Sequence, residues 1–114
     1  MNSTLAIALG GAIGASLRHG AGVWLGAVWA TLAVNVVGSF LMGVLVGSGA
    51  ADGWRLFLGV GLLGGFTTFS AFSLDAVQLL EAGRTGAAGL YIAGSVGLSL
   101  VALLLGLFAA RGLA

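Results

Sequence analysis

The chain contains no proline, no cysteine and no lysine, and only 6% of its 114 residues are charged. So little charge excludes a soluble domain, which would carry about 25% charged residues to build a water-facing surface. Disorder is excluded for the opposite reason. Apolar residues make up 60% of the chain, far too much apolar side chain to remain solvated. The missing cysteines exclude a disulfide framework and leave the compartment open. One solvent suits such a chain, the hydrocarbon of a lipid bilayer. Glycine is the abundant residue, at 22 positions.

A helix crossing hydrocarbon needs roughly 20 predominantly apolar residues. Four stretches qualify: Ser3–Val23, Val28–Gly49, Leu56–Leu80 and Ala87–Ala110. Polar interruptions fall between them, at Ala50–Trp54 with Asp52 and at Glu81–Gly86 with Arg84. The first connection, near Leu25–Val28, is short and flanked by Trp24 and Trp29, as interfacial aromatics often are. Trp54 has the same part on the other side. Ser3–Val23 is a span rather than a cleaved signal peptide, because its first basic residue, Arg18, stands at its far end. The expected fold is therefore an all-α integral membrane protein, one transmembrane domain over residues 1–114.

Four spans put Arg55 and Arg111 on one side of the membrane and Arg18 and Arg84 on the other. Basic residues in short loops normally select the orientation, and here they are balanced two against two. The simplest outcome is insertion both ways, with copies pairing as an antiparallel dimer. A single orientation set by a partner is the plainer alternative.

Small residues mark helix contacts in lipid, and Gly10/Gly14, Gly43/Gly47 and Gly61/Gly65 are such pairs. In the second span Thr31, Asn35, Ser39, Gly43 and Gly47 recur every four residues, as Tyr91, Ser95 and Ser99 do in the fourth. That spacing keeps each row on one slowly turning face. Buried amides need hydrogen bonds, so Asn35 either bonds a neighbouring helix or faces a polar path. Neither row contains a carboxylate, which argues against a cation path or a proton-coupled carrier. Arg18 either snorkels to headgroups or forms a positive vestibule. His19 is a lone histidine. No cluster of His, Cys and carboxylates, no nucleophile with its base and no phosphate loop is present, so no enzyme is expected.

The third span is interrupted at Gly64–Ser73, where paired glycines and paired threonines lower helix propensity. Irregular backbone at membrane depth survives only where protein buries it or where it lines a polar cavity. Freed carbonyls there can hold a small hard cation. Phe66, Phe69 and Phe72 follow at spacings of three, either as ordinary packing or offering electropositive ring edges to an anion.

Three segments carry a family resemblance. Gly10-Gly11-Ala12-Ile13-Gly14-Ala15-Ser16-Leu17-Arg18, the run Thr31–Gly43 around Asn35, and Gly64-Gly65-Phe66-Thr67-Thr68-Phe69-Ser70-Ala71-Phe72-Ser73 together resemble the Fluc (CrcB) fluoride channels. The resemblance implies a dual-topology homodimer in a prokaryotic cell membrane, exporting fluoride passively through two pores and so conferring fluoride resistance. It implies a central structural sodium held by the backbone carbonyls of Gly64 and Thr67 from both copies. Phe69 and Phe72 would present ring edges to fluoride, with Asn35 a pore donor and Ser70 beside the rings. Tyr91, Ser95 and Ser99 would form a polar track, and Arg18 would stand near a vestibule. Fluoride, the lipid bilayer and a second copy are the expected partners, with no nucleic acid.

This sequence departs from the family pattern at His19, where an aromatic is usual, and at Asp75, where Glu is usual. A small multidrug transporter, also a four-helix dual-topology dimer, needs a carboxylate in its first helix, and Ser3–Val23 has none. A non-transporting assembly subunit, whose glycine faces only pack, is the remaining alternative.

Overall fold

A computed structural model describes residues 2–113, which are helical apart from short connections and include no strand. Helix α1 (Ser3–Leu25) starts where the Asn2 side chain accepts a hydrogen bond from the Leu5 N–H at 2.7 Å. It stops at Gly26, whose backbone (φ 82°, ψ 160°) only glycine adopts without strain. Helix α2 (Ala27–Gly47) begins at the next residue. The expected four-residue connection is thus a single glycine that reverses the chain. Trp24 and Trp29 stay exposed on either side of it.

The third span is built from several pieces. A single turn, α3 (Asp52–Trp54), leads into a π-helical segment, Arg55–Leu63, and then into α4 (Gly64–Phe66). Thr67 (φ −82°, ψ 158°) and Thr68 (φ −152°, ψ 127°) are extended. Helix α5 (Phe69–Glu81) restarts beneath Thr68, whose Oγ1 accepts from the Ala71 N–H at 3.1 Å. Of the stretch Gly64–Ser73, therefore, only two residues leave helical geometry. Helix α6 (Thr85–Leu113) completes the chain.

Three runs are long and apolar enough to cross a membrane: Ala27–Gly47, Asp52–Glu81 taken as one stretch of 30 residues, and Thr85–Gly112. Helix α1, with 23 residues, also has the length, since roughly 20 suffice. Its glycines and the Arg18–His19 pair lower its hydropathy. The chain is a multi-pass membrane protein.

The helices pack as two parallel pairs joined by glycine. Along α1, Gly10 faces Phe57 and Leu62, and Gly14 faces Leu62 and Phe66. A Cβ on Gly61 would come within 2.9 Å of the Ile7 carbonyl oxygen, and one on Gly65 within 2.7 Å of that of Gly11. Between α2 and α6 the same role falls to Gly43, Gly47 and Gly106. All three glycine pairs marked in the sequence thus serve seams within one chain. The missed member, Gly106, lies between Ala102 and Ala110, and all three are buried. Small residues line the seams, and the larger buried side chains among the described residues are Val34, Leu63, Phe72 and Tyr91. Leu5, Leu9, Ile13 and Leu17 face outward. That arrangement suits lipid, where close backbone approach rather than burial of large apolar side chains holds helices together.

Candidate functional site

A cleft of about 450 Å³ opens between α2, the Thr67–Thr68 segment, α5 and α6. Its polar lining comes from Asn35 and Ser39 of α2, Thr67 and Thr68, and Ser95 and Ser99 of α6. Gly64, Phe69 and Phe72 also border it. Seven of the residues singled out from sequence, Asn35, Gly64, Thr67, Phe69, Phe72, Ser95 and Ser99, therefore meet in one groove.

The extended segment explains how they meet. Where Thr68 leaves the helix, its N–H and C=O lose their helical partners, and α2 supplies replacements. Asn35 Nδ2 donates to the Thr68 carbonyl at 2.9 Å, and the Thr68 N–H donates to Asn35 Oδ1 at 2.7 Å. Of the two possibilities left open for Asn35, the bond to a neighbouring element is present, and the residue also borders the groove. Arg18 adds a third tie, its Nε donating to the Gly65 carbonyl at 3.2 Å. It is thus a partner of mid-span backbone as well as a neighbour of a second cleft.

Ser95 and Ser99 differ from the hydroxyls that bond back to their own helix. Ser16, Thr31, Thr67 and Ser73 each donate to the carbonyl four residues back, at 2.7–3.0 Å. The buried hydroxyl oxygens of Ser95 and Ser99 have no partner among the described residues. A buried unpaired hydroxyl costs about 1–3 kcal/mol, and the back-bond that would relieve it is not made. Two adjacent orphans on the groove wall are groups that a ligand can satisfy.

Phe69 and Phe72 lie 5.5 Å apart between ring centroids, at 58°. Phe69 is 76% exposed, whereas Phe72 is 8% exposed and packs on Tyr91 at 5.3 Å. Two residues of the expected path lie outside this groove. Ser70 is exposed, and its hydroxyl pairs with Thr68 Oγ1 at 3.4 Å. Tyr91 is buried, and its hydroxyl donates to Asp75 Oδ2 at 3.0 Å. The cause is helical drift: each four-residue step turns about 40°, so Tyr91 faces α5 while Ser99 faces the groove. The buried Tyr91–Asp75 bond was missed in the sequence, although Asp75 is the one acid within the four apolar stretches read there.

The bond has a measurable consequence. Tyr91→Phe leaves a buried carboxylate without its donor and is expected to destabilise the protein by about 1–3 kcal/mol. Combining Tyr91→Phe with Asp75→Leu removes both partners and should recover most of that loss in thermal unfolding. Additive losses in the double variant would show that the bond carries no stability.

A second cleft, also about 450 Å³, is lined by Arg18, His19, Thr31, Thr68 and Asp75. Thr68 borders both clefts. Among the described residues no group of three or more His, Cys, Asp or Glu is placed to hold a metal.

Residues 5–107 match the family described as "CrcB-like protein, Camphor Resistance (CrcB)". The chain belongs to the CrcB family. A relative from Novosphingobium aromaticivorans is 51% identical over the whole of both chains. Another, from Cereibacter sphaeroides, is 53% identical over 98% of this chain and 97% of its own. A third, from Erythrobacter litoralis, is 50% identical over 96% and 92%. Each is named "Fluoride-specific ion channel FluC". These CrcB relatives are channels, and the expectation that the chain is no enzyme holds.

Proposed function

We propose that this protein is a fluoride-selective channel that lets fluoride leave the cytoplasm of a prokaryote down its electrochemical gradient. The observation that carries the proposal is the pair of orphaned hydroxyls, Ser95 and Ser99, on a groove shared with Phe69 and Phe72. Neutral donors and ring edges can replace part of an anion's hydration without the tight binding that a fixed cation would impose. A compact anion satisfies both hydroxyls. A larger one leaves groups unpaired, which is how hydrogen-bonding sites discriminate. Fluoride is taken from the names of the relatives; the donors fit any small anion.

The functional unit in this proposal is an antiparallel homodimer with two pores. Balanced arginines support insertion in both orientations. An exposed Phe69 and a groove open along one side support closure by a second copy. Accessibility of a C-terminal tag, read from each side of intact cells, is expected to show two populations; protection of every copy on one side would refute dual topology.

Sodium at the dimer axis is part of the same proposal. The donor set fits it: neither the Gly64 nor the Thr67 carbonyl accepts a hydrogen bond from a described residue outside its own helix. The neighbouring Gly65 and Thr68 carbonyls are taken by Arg18 and Asn35. Two carbonyls from each copy would give a hard cation an all-oxygen site and tie the copies together. Passive release of fluoride from loaded liposomes containing the purified protein tests the channel, and release no faster than from protein-free liposomes would reject it.

A further inference from the structure

We infer that Asn35 is a positioning residue, whose amide edge holds the extended Thr67–Thr68 segment in the geometry the groove requires. The inference rests on the channel proposal and deepens it. Extended backbone in a span frees an N–H and a C=O that lipid cannot pair, and each must find another partner. The Asn35 carboxamide meets both demands of Thr68 at once, at 2.9 and 2.7 Å. Its planar edge presents a donor beside an acceptor, the same pair that a neighbouring strand would offer. Only Oδ1 can accept from the Thr68 N–H, so the pairing itself fixes which atom is oxygen.

The consequences reach further than one residue. Thr68 caps α5 through Oγ1, and the first residue of α5 is Phe69. Thr67, on the other side, carries one of the carbonyls of the proposed cation site. A residue that fixes Thr68 therefore sets the aim of the phenylalanines and of that carbonyl together. Its requirement is a donor and an acceptor side by side. A donor to the anion alone would not explain why both atoms of the amide are engaged.

A carboxyl group separates these roles. Protonated, it offers the same edge: its O–H donates to the Thr68 carbonyl and its C=O accepts from the Thr68 N–H. Ionised, it is an acceptor only and turns a negative charge towards the Thr68 carbonyl. Asn35→Asp should thus be defective at high pH and restored by acid, because burial favours the neutral carboxyl.

Other titratable groups around Thr68 are Arg18 and His19 of α1, Asp75 of α5, and Tyr91 of α6, which is bonded to Asp75. On the third span Asp52 and Arg55 line a separate cleft. All of these are present in the unsubstituted protein, so the ratio of variant to unsubstituted flux cancels their effect.

The experiment measures that ratio in liposomes from about pH 9 to about pH 5.5, after subtracting protein-free leak at each pH. Thermal unfolding without fluoride is followed alongside, on protein purified in acid. Relative flux should rise at least about tenfold towards acid, the equivalent of about 1.4 kcal/mol, and the unfolding midpoint should rise with it. Asn35→Leu should be defective throughout. A flat ratio, whether low or unimpaired at every pH, would overturn the inference, as would a variant that fails to fold in acid. If the unsubstituted protein carries no fluoride, the channel proposal fails instead, and the unfolding midpoint still reports on the clamp.

Discussion

Gly14→Leu is expected to eliminate the folded protein. A Cβ at that position falls on the Leu62 carbonyl oxygen and stands 2.8 Å from the Phe66 backbone nitrogen. Backbone cannot rotate away as a side chain can, so α1 must separate from the π-helical segment and α4. Overpacking a side-chain core costs about 1–3 kcal/mol, and collision with the backbone of the third span at both Leu62 and Phe66 exceeds that. Separation would also break the bond from Arg18 to Gly65, one turn further along. In detergent the variant should run as aggregate on size exclusion. Gly86→Leu, at the exposed start of α6 with nothing within 4 Å, should run as the unsubstituted protein. A monodisperse Gly14→Leu would mean that the seam is looser than described.

The paired substitution Ser95→Ala with Ser99→Ala should move stability and transport in opposite directions. Removing buried hydroxyls that lack partners relieves about 1–3 kcal/mol each, so the unfolding temperature should hold or rise. Transport should fall. A hydrogen bond to a charged group contributes about 1.5–3 kcal/mol, and each 1.4 kcal/mol is a factor of ten, so with two such bonds lost fluoride flux is expected to fall by roughly a hundredfold or more. Such a result separates a conducting role from a packing role, since loss of packing would lower both. Unchanged flux with unchanged stability would remove these hydroxyls from the path.

Much of the fold is legible in the sequence because lipid imposes strong local rules. Apolar stretches of hydrocarbon length mark the spans, and glycines four apart mark the seams of α1 and α2. The run of glycines and threonines draws attention to the segment that contains the extended Thr67 and Thr68. Other features depend on contacts between distant residues, which local periodicity does not encode. Arg18 reaches Gly65 across 47 positions, and Tyr91 reaches Asp75 across 16. A row at four-residue spacing suggested that Tyr91, Ser95 and Ser99 share one surface, but the drift of the helix turns Tyr91 away. The π-helical geometry of Arg55–Leu63 has no signature in its residues, and we have no physical account of its length.

The polar rows also divide by element. Thr31 borders the cleft with Arg18 and Asp75, Asn35 and Ser39 border the groove, and Gly43 and Gly47 meet α6. One helix face thus serves two cavities and a seam in succession, with Asn35 tied to the threonine that borders both cavities.

The most direct test of the central claim compares fluoride and chloride release from the same liposomes, each followed with its own electrode. If the groove is a selective anion path, fluoride should leave rapidly while chloride stays at the leak of protein-free vesicles. Equal release of both ions, or release of neither, would contradict it.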